Sequence, residues 1–408
     1  MKVLYYHQHF STPAGASGNR SYAMAKALLA QGNQVTMVCG SSEKGKTGLD
    51  GPFRRGKREG VVEGIHVIEL ELPYSNSDGF IKRSITFLKF ALRSSWIALR
   101  ADADLIFATT TPLTAGIPGI IARWLRRKPF VFEVRDLWPE LPREMGVIRN
   151  PLVLGAMSVL EWVSYRSAHR LVGLSPGIVE GIARRGVAKD RITMIPNGCD
   201  LDIFSAPTGP WRPEGVAEDD LMAVFTGAHG IANGLDAVLN AAAELKRLKR
   251  EDIKLVLIGD GKLKPALEAR AYAEGLDNVI LHPPVPKHRL SGLMVEADIG
   301  MQILANVPAF YYGTSPNKFF DYIAAGLPVL NNYPGWLAGM IEDAGCGYAV
   351  PPDDPVSFAD ALINAADHRD KLPAMGEKAK RLAMERFDRA KLAEQFIDWL
   401  ELAQRQRR

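Results

Sequence analysis

Short runs of strand-forming residues alternate with helix-length patterns along almost the whole chain. This alternation predicts βα units wound around parallel sheets. Because 408 residues are too many for one ordinary core, we predict an α/β protein with two doubly wound, Rossmann-like domains and a cleft between them. The predicted strands are 3–6, 35–39, 105–108, 130–134, 171–174 and 192–195 in the first half, and 221–226, 254–258, 279–281, 299–303 and 329–330 in the second.

A break in this pattern follows Asn197-Gly198, where proline, glycine and acidic residues are frequent, as in a linker. We therefore predict an N-terminal domain over 1–205, a linker over 206–220 and a C-terminal domain over 221–385. Residues 386–408 show an amphipathic helical pattern and are predicted to strap the two domains together.

Charge and cysteine content limit the classes of partner. The net charge is +4, with a basic excess in the first half that favours anionic partners there. Three cysteines lie far apart without metal-ligand spacing, which indicates a reducing compartment and no structural zinc. No apolar run is long enough for a signal peptide or a membrane span. We expect a cytoplasmic protein that can lie on the inner face of the cytoplasmic membrane, with no nucleic-acid partner.

The most informative segment is 315–329, SPNKFFDYIAAGLPV. Ser315 suits a helix N-cap, Pro316 the first helical position and Gly326 the end of the helix. A helix start binds anions through its free amides, including that of Asn317, and Lys318 adds a formal charge for a diphosphate. Asp321, one turn later, could accept hydrogen bonds from a ribose diol. The alternative is a structural helix with a solvated lysine and aspartate.

Glycine-bearing loops follow several predicted strands, at the sheet edge where open α/β sheets bind ligands. In the second half they predict donor contacts from Thr226, Gly227, His229, Asn233, Gly259 and Gly261, and Val285 completes that set. In the first half, Gly15, Gly18 and Arg20 are predicted to approach a phosphate or sugar. Each loop taken alone could equally be an ordinary turn.

Arg135 and Asp136 end the predicted strand 130–134 and are expected to project into the cleft. Arg135 could balance the charge of a leaving diphosphate and Asp136 could position an acceptor hydroxyl, although a structural salt bridge is the alternative. His7 and His9 alternate on the first strand, but no third ligand follows, so we expect a packed or substrate-contacting pair and no metal site.

Residues 81–100 form a predicted cationic helix. Its apolar stripe is most simply core and comprises Ile81, Ile85, Leu88, Leu92, Trp96 and Leu99. Beside the stripe lies a basic edge of Lys82, Lys89, Arg93 and Arg100, and beyond that edge lie Phe90 and Ile97. This basic edge with its apolar neighbours could contact an anionic membrane or a lipid diphosphate, or it could be a solvated face.

Together these segments resemble the family 4 glycosyltransferases, and more closely the branch from O-antigen, capsule and exopolysaccharide clusters that includes L-fucosamine transferases. The resemblance covers nearly the whole chain. It rests on ATTTP at 108–112, FEVRDLWPE at 132–140, PNGCD at 196–200, Thr226-Gly227 with Asn233-Gly234, GDG at 259–261, and 315–329.

The resemblance implies a GT-B fold with a UDP-sugar held mainly by the C-terminal domain and an acceptor held by the N-terminal domain. It also implies no metal cofactor and retention of anomeric configuration. The expected reaction moves a hexose, N-acetylated or deoxy, to a glycan linked to a polyprenyl diphosphate during surface polysaccharide synthesis.

Three departures separate this sequence from many relatives. The first glutamate of their paired-glutamate motif is Gly313 here, and the second is Asp321. The arginine and lysine that usually hold the diphosphate are matched by Ala228 and Asn233, which shifts that task to Lys318. The histidine of the His-Asp motif is Arg135. Two alternatives stay open: an enzyme similar to UDP-N-acetylhexosamine 2-epimerases, which use the same two-domain shape, and a non-catalytic partner subunit, which the departures at Gly313, Ala228 and Arg135 suggest.

Overall fold

A computed structural model of the chain describes residues 1–15, 18–42, 45–75, 78–206 and 209–405. The chain divides into two compact units. The first comprises Met1–Pro196, Gly313–Ser315 and the residues from Ala390 onward, and the second comprises Asn197–Tyr312 and Pro316–Arg389.

The first unit is built on an eight-stranded sheet in the order β3-β4-β2-β1-β5-β6-β7-β8. All neighbouring strands are parallel except β3 and β4, which form an antiparallel hairpin. Strands β5 and β6 are buried along their whole length, as expected for parallel strands covered on both faces. The strands are β1 (Lys2–Tyr6), β2 (Gln34–Gly40), β3 (Lys57–Val62), β4 (Ile65–Leu70), β5 (Leu105–Thr109), β6 (Phe130–Val134), β7 (Arg170–Gly173) and β8 (Ile192–Met194).

The helices of the first unit include one that comes from the far end of the described chain. They are α1 (Arg20–Ala30), α2 (Phe80–Arg100), α3 (Ile117–Arg126), α4 (Glu140–Glu144), α5 (Pro151–Ser167), α6 (Pro176–Arg184) and α16 (Arg389–Arg405). In α16, the ring of Phe396 packs edge-on against Phe107, and the indole of Trp399 donates a hydrogen bond to the Leu171 carbonyl at 3.1 Å. This last helix therefore completes the core of the first unit.

The second unit has a six-stranded, fully parallel sheet in the order β11-β10-β9-β12-β13-β14. Strand order reverses between β9 and β12, and such switch points are where open α/β sheets form ligand sites. The strands are β9 (Leu221–Thr226), β10 (Ile253–Ile258), β11 (Val279–His282), β12 (Ile299–Gln302), β13 (Val329–Asn331) and β14 (Gly347–Ala349). The helices are α7 (Leu201–Ser205), α8 (Asp236–Arg247), α9 (Lys264–Glu274), α10 (Lys287–Glu296), α11 (Pro308–Gly313), α12 (Asn317–Ala325), α13 (Trp336–Ala344), α14 (Pro355–Asp367) and α15 (Leu372–Arg386).

Every strand predicted from the sequence is present, with each end at the predicted residue or one residue away from it. The hairpin β3–β4 and the short strand β14 were not predicted. The division into units falls at Pro196, before the predicted boundary at 205, because α7 packs on α10 and α12 within the second unit. The predicted linker 206–220 also belongs to the second unit, and the chain returns to the first unit at Ala390.

Helix α2 faces the opposite way from the prediction, so the expectation that its apolar stripe is core was wrong. The stripe residues Ile81, Ile85, Leu88, Leu92 and Trp96 are exposed. The buried side of the helix is formed instead by Phe90, Ala91, Ser94, Ser95 and Ala98. Small side chains on this side allow α2 to pack closely against its neighbours. The hydroxyl of Ser95 donates a hydrogen bond to the Ala91 carbonyl within the same helix.

This orientation corrects the proposed lipid-facing residues. Phe90 is fully buried and so cannot be a surface contact, while Ile97 is partly buried and packs against the core. Arg93 is partly buried and donates to the Gly56 carbonyl at 2.6 Å, while Lys82 pairs with Asp78 at 2.6 Å. Lys89 is exposed. Within the described ranges, no helix is both long and apolar enough to cross a bilayer.

Candidate functional site

The start of α12 lies in the second unit and begins at Asn317, whose side chain is exposed. Pro316 takes the cap position and makes no side-chain cap, so the predicted N-cap role of Ser315 was wrong by one residue. Without a side-chain cap, the amides of the first turn can bind an anion. Gly326 ends the helix with φ of +75°, as predicted for a glycine in the left-handed region.

Lys318 stands in the first turn of α12 and is held by neighbours that leave its charge uncompensated. Its Nζ donates to Asn233 Oδ1 at 2.8 Å and lies 4.6 Å from the centre of the Phe225 ring. Asn233 is fixed in turn by donating to the Ala228 carbonyl at 2.7 Å. Among the described residues, no carboxylate pairs with Lys318, and burial alone shifts the pKa of its ammonium group. Burial lowers the pKa of Lys318 to about 7.

The two glycine loops of the second unit pack directly against each other. A Cβ at Gly259 would lie 1.9 Å from the Gly227 carbonyl oxygen, and one at Gly261 would meet the backbone of His229 at 2.5 Å. Gly227 also lies against Lys318, since a Cβ there would be 3.3 Å from Cε. Both loops follow adjacent parallel strands, β9 and β10. These glycines therefore let the loop backbones meet beside Lys318.

His229 and Thr226 are buried at the base of these loops. The His229 amide donates to the Asp260 carbonyl at 3.0 Å, and burial lowers the pKa of its imidazole to about 4, so the ring is neutral. Thr226 receives support from Tyr322 of α12, whose hydroxyl accepts from the Thr226 amide at 2.9 Å. Val285 is partly buried in the segment before α10. These contacts place Thr226 and His229 beneath the loop surface.

Asp321 belongs to a group of four charged side chains that the sequence did not predict as a group. Lys287 Nζ lies 2.9 Å from Asp321 and 2.5 Å from Asp200, and Arg389 pairs with the other oxygen of Asp200. Burial raises the pKa of Asp321 despite the attraction of Lys287. Burial would also raise the pKa of Asp200, but Arg389 and Lys287 hold it at about 2. Asp321, in the middle of α12, thus has a cationic partner of its own.

In the first unit, a buried network surrounds Glu133 near the carboxyl ends of the strands. Arg20 lies 2.8 Å from Glu133 and also donates to the carbonyls of Ile195 and Pro196. Thr109 donates to the other carboxylate oxygen at 2.7 Å. Burial would raise the pKa of Glu133, but Arg20 and Arg135 hold it at about 2. Since only 2% of the Arg20 side chain is exposed, the structure gives Arg20 the role of a buried counterion instead of the predicted donor contact.

Arg135 and Asp136 follow β6 at the edge of this network. The Arg135 guanidinium contacts Glu133 at 3.2 Å, Thr109 at 2.9 Å and Ser21 at 3.1 Å, so part of its charge is already neutralised. Asp136 accepts a hydrogen bond from Thr111 at 3.2 Å, and burial raises the pKa of its carboxyl. A carboxyl group at this position can form a hydrogen bond with a hydroxyl group.

The remaining predicted residues of the first unit lie on loops after β1. Gly15 donates its amide to the Thr12 carbonyl and Gly18 is exposed, while residues 16 and 17 between them lie outside the described part. His7 and His9 follow β1 instead of alternating on it, and burial lowers the pKa of both imidazoles, that of His9 to about 4. In the described segments, no group of three or more candidate ligands is placed to hold a metal ion.

Two protein-family models match this chain. A glycosyl transferase 4-like domain matches residues 15–198, and a glycosyl transferases group 1 domain matches residues 211–382. The first match lies almost wholly within the first unit, and the second lies within the second unit except for Gly313–Ser315.

Similar curated proteins carry transferase names. A D-inositol 3-phosphate glycosyltransferase of Xylanimonas cellulosilytica is 30% identical over 261 residues, which cover 59% of this chain and 57% of that relative. The match thus spans little more than half the length of that protein. WcaI of Escherichia coli (strain K12), which is named as a colanic acid biosynthesis glycosyl transferase, is 22% identical over 98% of this chain and 99% of its own.

Solved structures show the same fold. Sucrose-phosphate synthase from Thermosynechococcus elongatus superposes with a TM-score of 0.74 at 18% identity, covering 98% of both chains. Anabaena Alr3699/HepE in complex with UDP gives 0.70 at 16% identity, covering 98% of this chain and 100% of that one. WaaG, a glycosyltransferase involved in lipopolysaccharide biosynthesis, gives 0.68 at 18% identity, covering 98% and 99%. The predicted two-domain GT-B fold is confirmed.

Proposed function

Since the chain belongs to the glycosyltransferases that join a 4-like domain to a group 1 domain, we propose that it is a retaining enzyme that moves a sugar from a UDP-sugar to a glycan acceptor. The observation that carries the proposal is Lys318, a desolvated cation in the first turn of a helix, with no carboxylate partner among the described residues. Such a cation is stabilised when a diphosphate supplies the missing negative charge.

The surroundings of Lys318 support a diphosphate ligand. Gly227 brings loop backbone against the lysine, and Asn233 orients Nζ without neutralising it. The uncapped amides of α12 add a positive dipole end beside the same cation. The loop that follows β9 and the start of α12 both lie beside the switch point between β9 and β12, where we place the nucleotide. HepE was solved in complex with UDP, which is consistent with this choice of nucleotide.

In the proposed reaction, the bond between the anomeric carbon and the β-phosphate oxygen breaks while the acceptor hydroxyl attacks from the same face. The leaving phosphate takes the hydroxyl proton. Lys318 and the α12 amides would stabilise the charge that grows on the β-phosphate, and Asp136 would position the acceptor hydroxyl. We propose no step that requires a metal ion.

For the acceptor and the place of action, we propose a class of molecule and a compartment. The names of WcaI and WaaG connect similar proteins with colanic acid and lipopolysaccharide biosynthesis. We propose an acceptor in surface polysaccharide synthesis, linked to a polyprenyl diphosphate at the inner face of the cytoplasmic membrane. Within that class, an N-acetylated or deoxy hexose such as L-fucosamine is the sugar suggested by the sequence resemblance.

The proposal is tested by screening UDP-sugars for UDP release that depends on an acceptor, with membrane extract as the acceptor source. We expect release with one donor or a few related donors, and only when extract is present. Lys318→Ala is the blank, and Lys262→Ala, an exposed lysine of the same unit, is the matched control.

Three outcomes would contradict the proposal. Conversion of a UDP-sugar to its epimer without acceptor would favour an epimerase. Binding of UDP without release from any donor would favour a non-catalytic subunit. Release at normal rates from Lys318→Ala would remove Lys318 from the reaction.

A further inference from the structure

The outward face of helices α2, α3 and α5 carries large apolar side chains that the fold leaves in water. We name as the apolar–basic face the surface that contains Ile81, Leu88, Leu92 and Trp96 of α2, Trp124 of α3 and Trp162 of α5. Ile81 is 75% exposed, Leu92 71% and Trp124 64%. Isolated exposed apolar residues are ordinary, but a row of them along one helix face marks an interaction surface.

These helices form one continuous surface. Helix α3 packs beside both α2 and α5. Arg126 of α3 donates to the Ala101 carbonyl at the end of α2 at 2.6 Å, and the Trp124 indole donates to the hydroxyl of Ser167 on α5 at 2.9 Å. The exposed side chains therefore belong to a single layer of the first unit.

The charge of this layer has one sign. The three helices carry eight lysines and arginines but a single acidic residue, Glu161, which is buried and paired with Arg185. Each of the three tryptophans has an arginine over or beside its ring, with Arg100 only 3.2 Å from the ring centre of Trp96. Tryptophan with arginine or lysine beside apolar side chains is the composition that favours a membrane interface.

A groove beside α2 extends the face. Its cavity of about 480 Å³ is lined by Leu72, Pro73, Ile81 and Ile85, and its wall also contains Lys82, Lys89 and the acidic residue Glu71. Lys82 is paired with Asp78, so Lys89 is the cation of this wall that can meet an anionic lipid head group beside the apolar groove.

We propose that the apolar–basic face docks on an anionic lipid bilayer. A second copy of the chain is a poorer occupant, because a symmetric interface would bring like charges from both copies together. Nucleic acid is poorer too, because it would leave the leucine and isoleucine side chains without an apolar partner. The inference needs no donor or acceptor, so it can succeed or fail independently of the proposed reaction.

The test is co-sedimentation of the full chain with vesicles of phosphatidylcholine alone or mixed with phosphatidylglycerol. We expect binding to the anionic vesicles that weakens with salt, and little binding to neutral ones. The double variant L92S/W96S should lower the partition coefficient roughly tenfold or more, since it removes two side chains that would leave water. K89E/R123E should weaken binding to the anionic vesicles alone.

The matched control is Tyr272→Ser, which removes an aromatic side chain that is 91% exposed in the second unit and should bind as the wild type does. Because Leu92 and Trp96 are exposed, L92S/W96S should keep its circular dichroism and melting temperature. The proposal is overturned if L92S/W96S binds anionic vesicles as tightly as the wild type, or if neutral vesicles bind equally well. It is also overturned if the wild type does not bind vesicles and sedimentation velocity shows that the wild type is a dimer while L92S/W96S is a monomer.

Discussion

Lys318 of the second unit differs from the buried arginines of the first unit in having no carboxylate partner among the described residues, although Lys287 and Arg389 of the second unit do have such partners. In the first unit, Arg20 and Arg135 share the carboxylate of Glu133. Arg135 also donates hydrogen bonds to the hydroxyl groups of Thr109 and Ser21. In the second unit, Lys318 has an amide oxygen and an aromatic ring as neighbours and no carboxylate in the described chain. A neutralised cation stabilises the fold, whereas an uncompensated one is available for an anionic ligand.

The first way to break this comparison is Glu133→Gln, which removes the charge and keeps the shape. Arg20 would then be a buried cation without a counterion, and we expect a loss of about 3–5 kcal/mol in the free energy of unfolding. Urea unfolding followed by circular dichroism measures it. The exposed pair of Lys26 and Glu63 is the control, because Glu63→Gln should cost less than about 1 kcal/mol.

Lowering the pH should also remove the stability that the Glu133 carboxylate provides. The folded-state pKa of Glu133 lies near 2, below its ordinary value of 4.5, so its stabilising effect is present above pH 4.5 and is lost as pH falls toward 2. If Glu133→Gln unfolded in urea as the wild type does, Arg20 would not depend on this carboxylate.

The second prediction concerns Lys318→Met, which replaces the cation by an apolar chain of similar length. Turnover should fall roughly a hundredfold or more, as when one donor to a developing oxyanion is removed. The melting temperature should stay the same or rise, because a desolvated charge has been lost. Lys262→Met should change neither quantity. A variant that lost stability as well as activity would mean that Lys318 serves the fold as Glu133 does.

The third prediction follows from the pKa of Lys318, which lies at about 7 in the unliganded protein. The lysine is charged below this pH and neutral above it, so UDP affinity should fall roughly tenfold or more between pH 6 and pH 8.5. Isothermal titration calorimetry measures the affinity, and Lys318→Arg is the control, since arginine stays charged throughout. Because UDP itself loses a proton over part of this range, the ratio of wild type to Lys318→Arg isolates the lysine. A ratio independent of pH would contradict the prediction.

The smallest expected effect belongs to Asp321, whose carboxylate already pairs with Lys287. If Asp321 also contacts ribose, the wild type should prefer UDP over 2′,3′-dideoxy-UDP by about threefold to tenfold, and Asp321→Ala should remove most of that preference. Competition binding measures both. An unchanged preference in Asp321→Ala would show that its partner is Lys287 alone.

The sequence predicted the sheets well because strands buried on both faces leave a strong signal. Phe130–Val134 and Leu221–Thr226 are mostly apolar runs of the right length, interrupted only by Glu133 and ended by Thr226, and they are strands with those bounds. The hairpin β3–β4 gave a weaker signal because Lys57–Val62 is charged and half exposed. Boundaries at Pro196 and Ala390 depend on which unit a short segment packs against, and periodicity does not report that choice.

Helix α2 shows the limit of periodicity most directly. A hydrophobic stripe predicts the buried side of a helix only if the opposite side of that helix faces solvent. In α2, the close packing of small side chains determines the buried side, and the stripe is left outside. At the candidate site, the pattern predicted Lys318 and the end of its helix at Gly326, but no sequence signal connects Lys287, Asp200 and Arg389, which lie far apart along the chain.

The return of the chain to the first unit at Ala390 also bears on the order in which the units fold during synthesis. Phe396 and Leu400 are fully buried in the core of the first unit, although about half the sequence separates them from its last strand. A ribosome that has finished β8 has therefore produced a sheet whose core still lacks one of its helices. We therefore expect the first unit to complete its folding only after the second unit has been made, and a truncated product that stops at residue 196 to aggregate unless 389–405 is supplied.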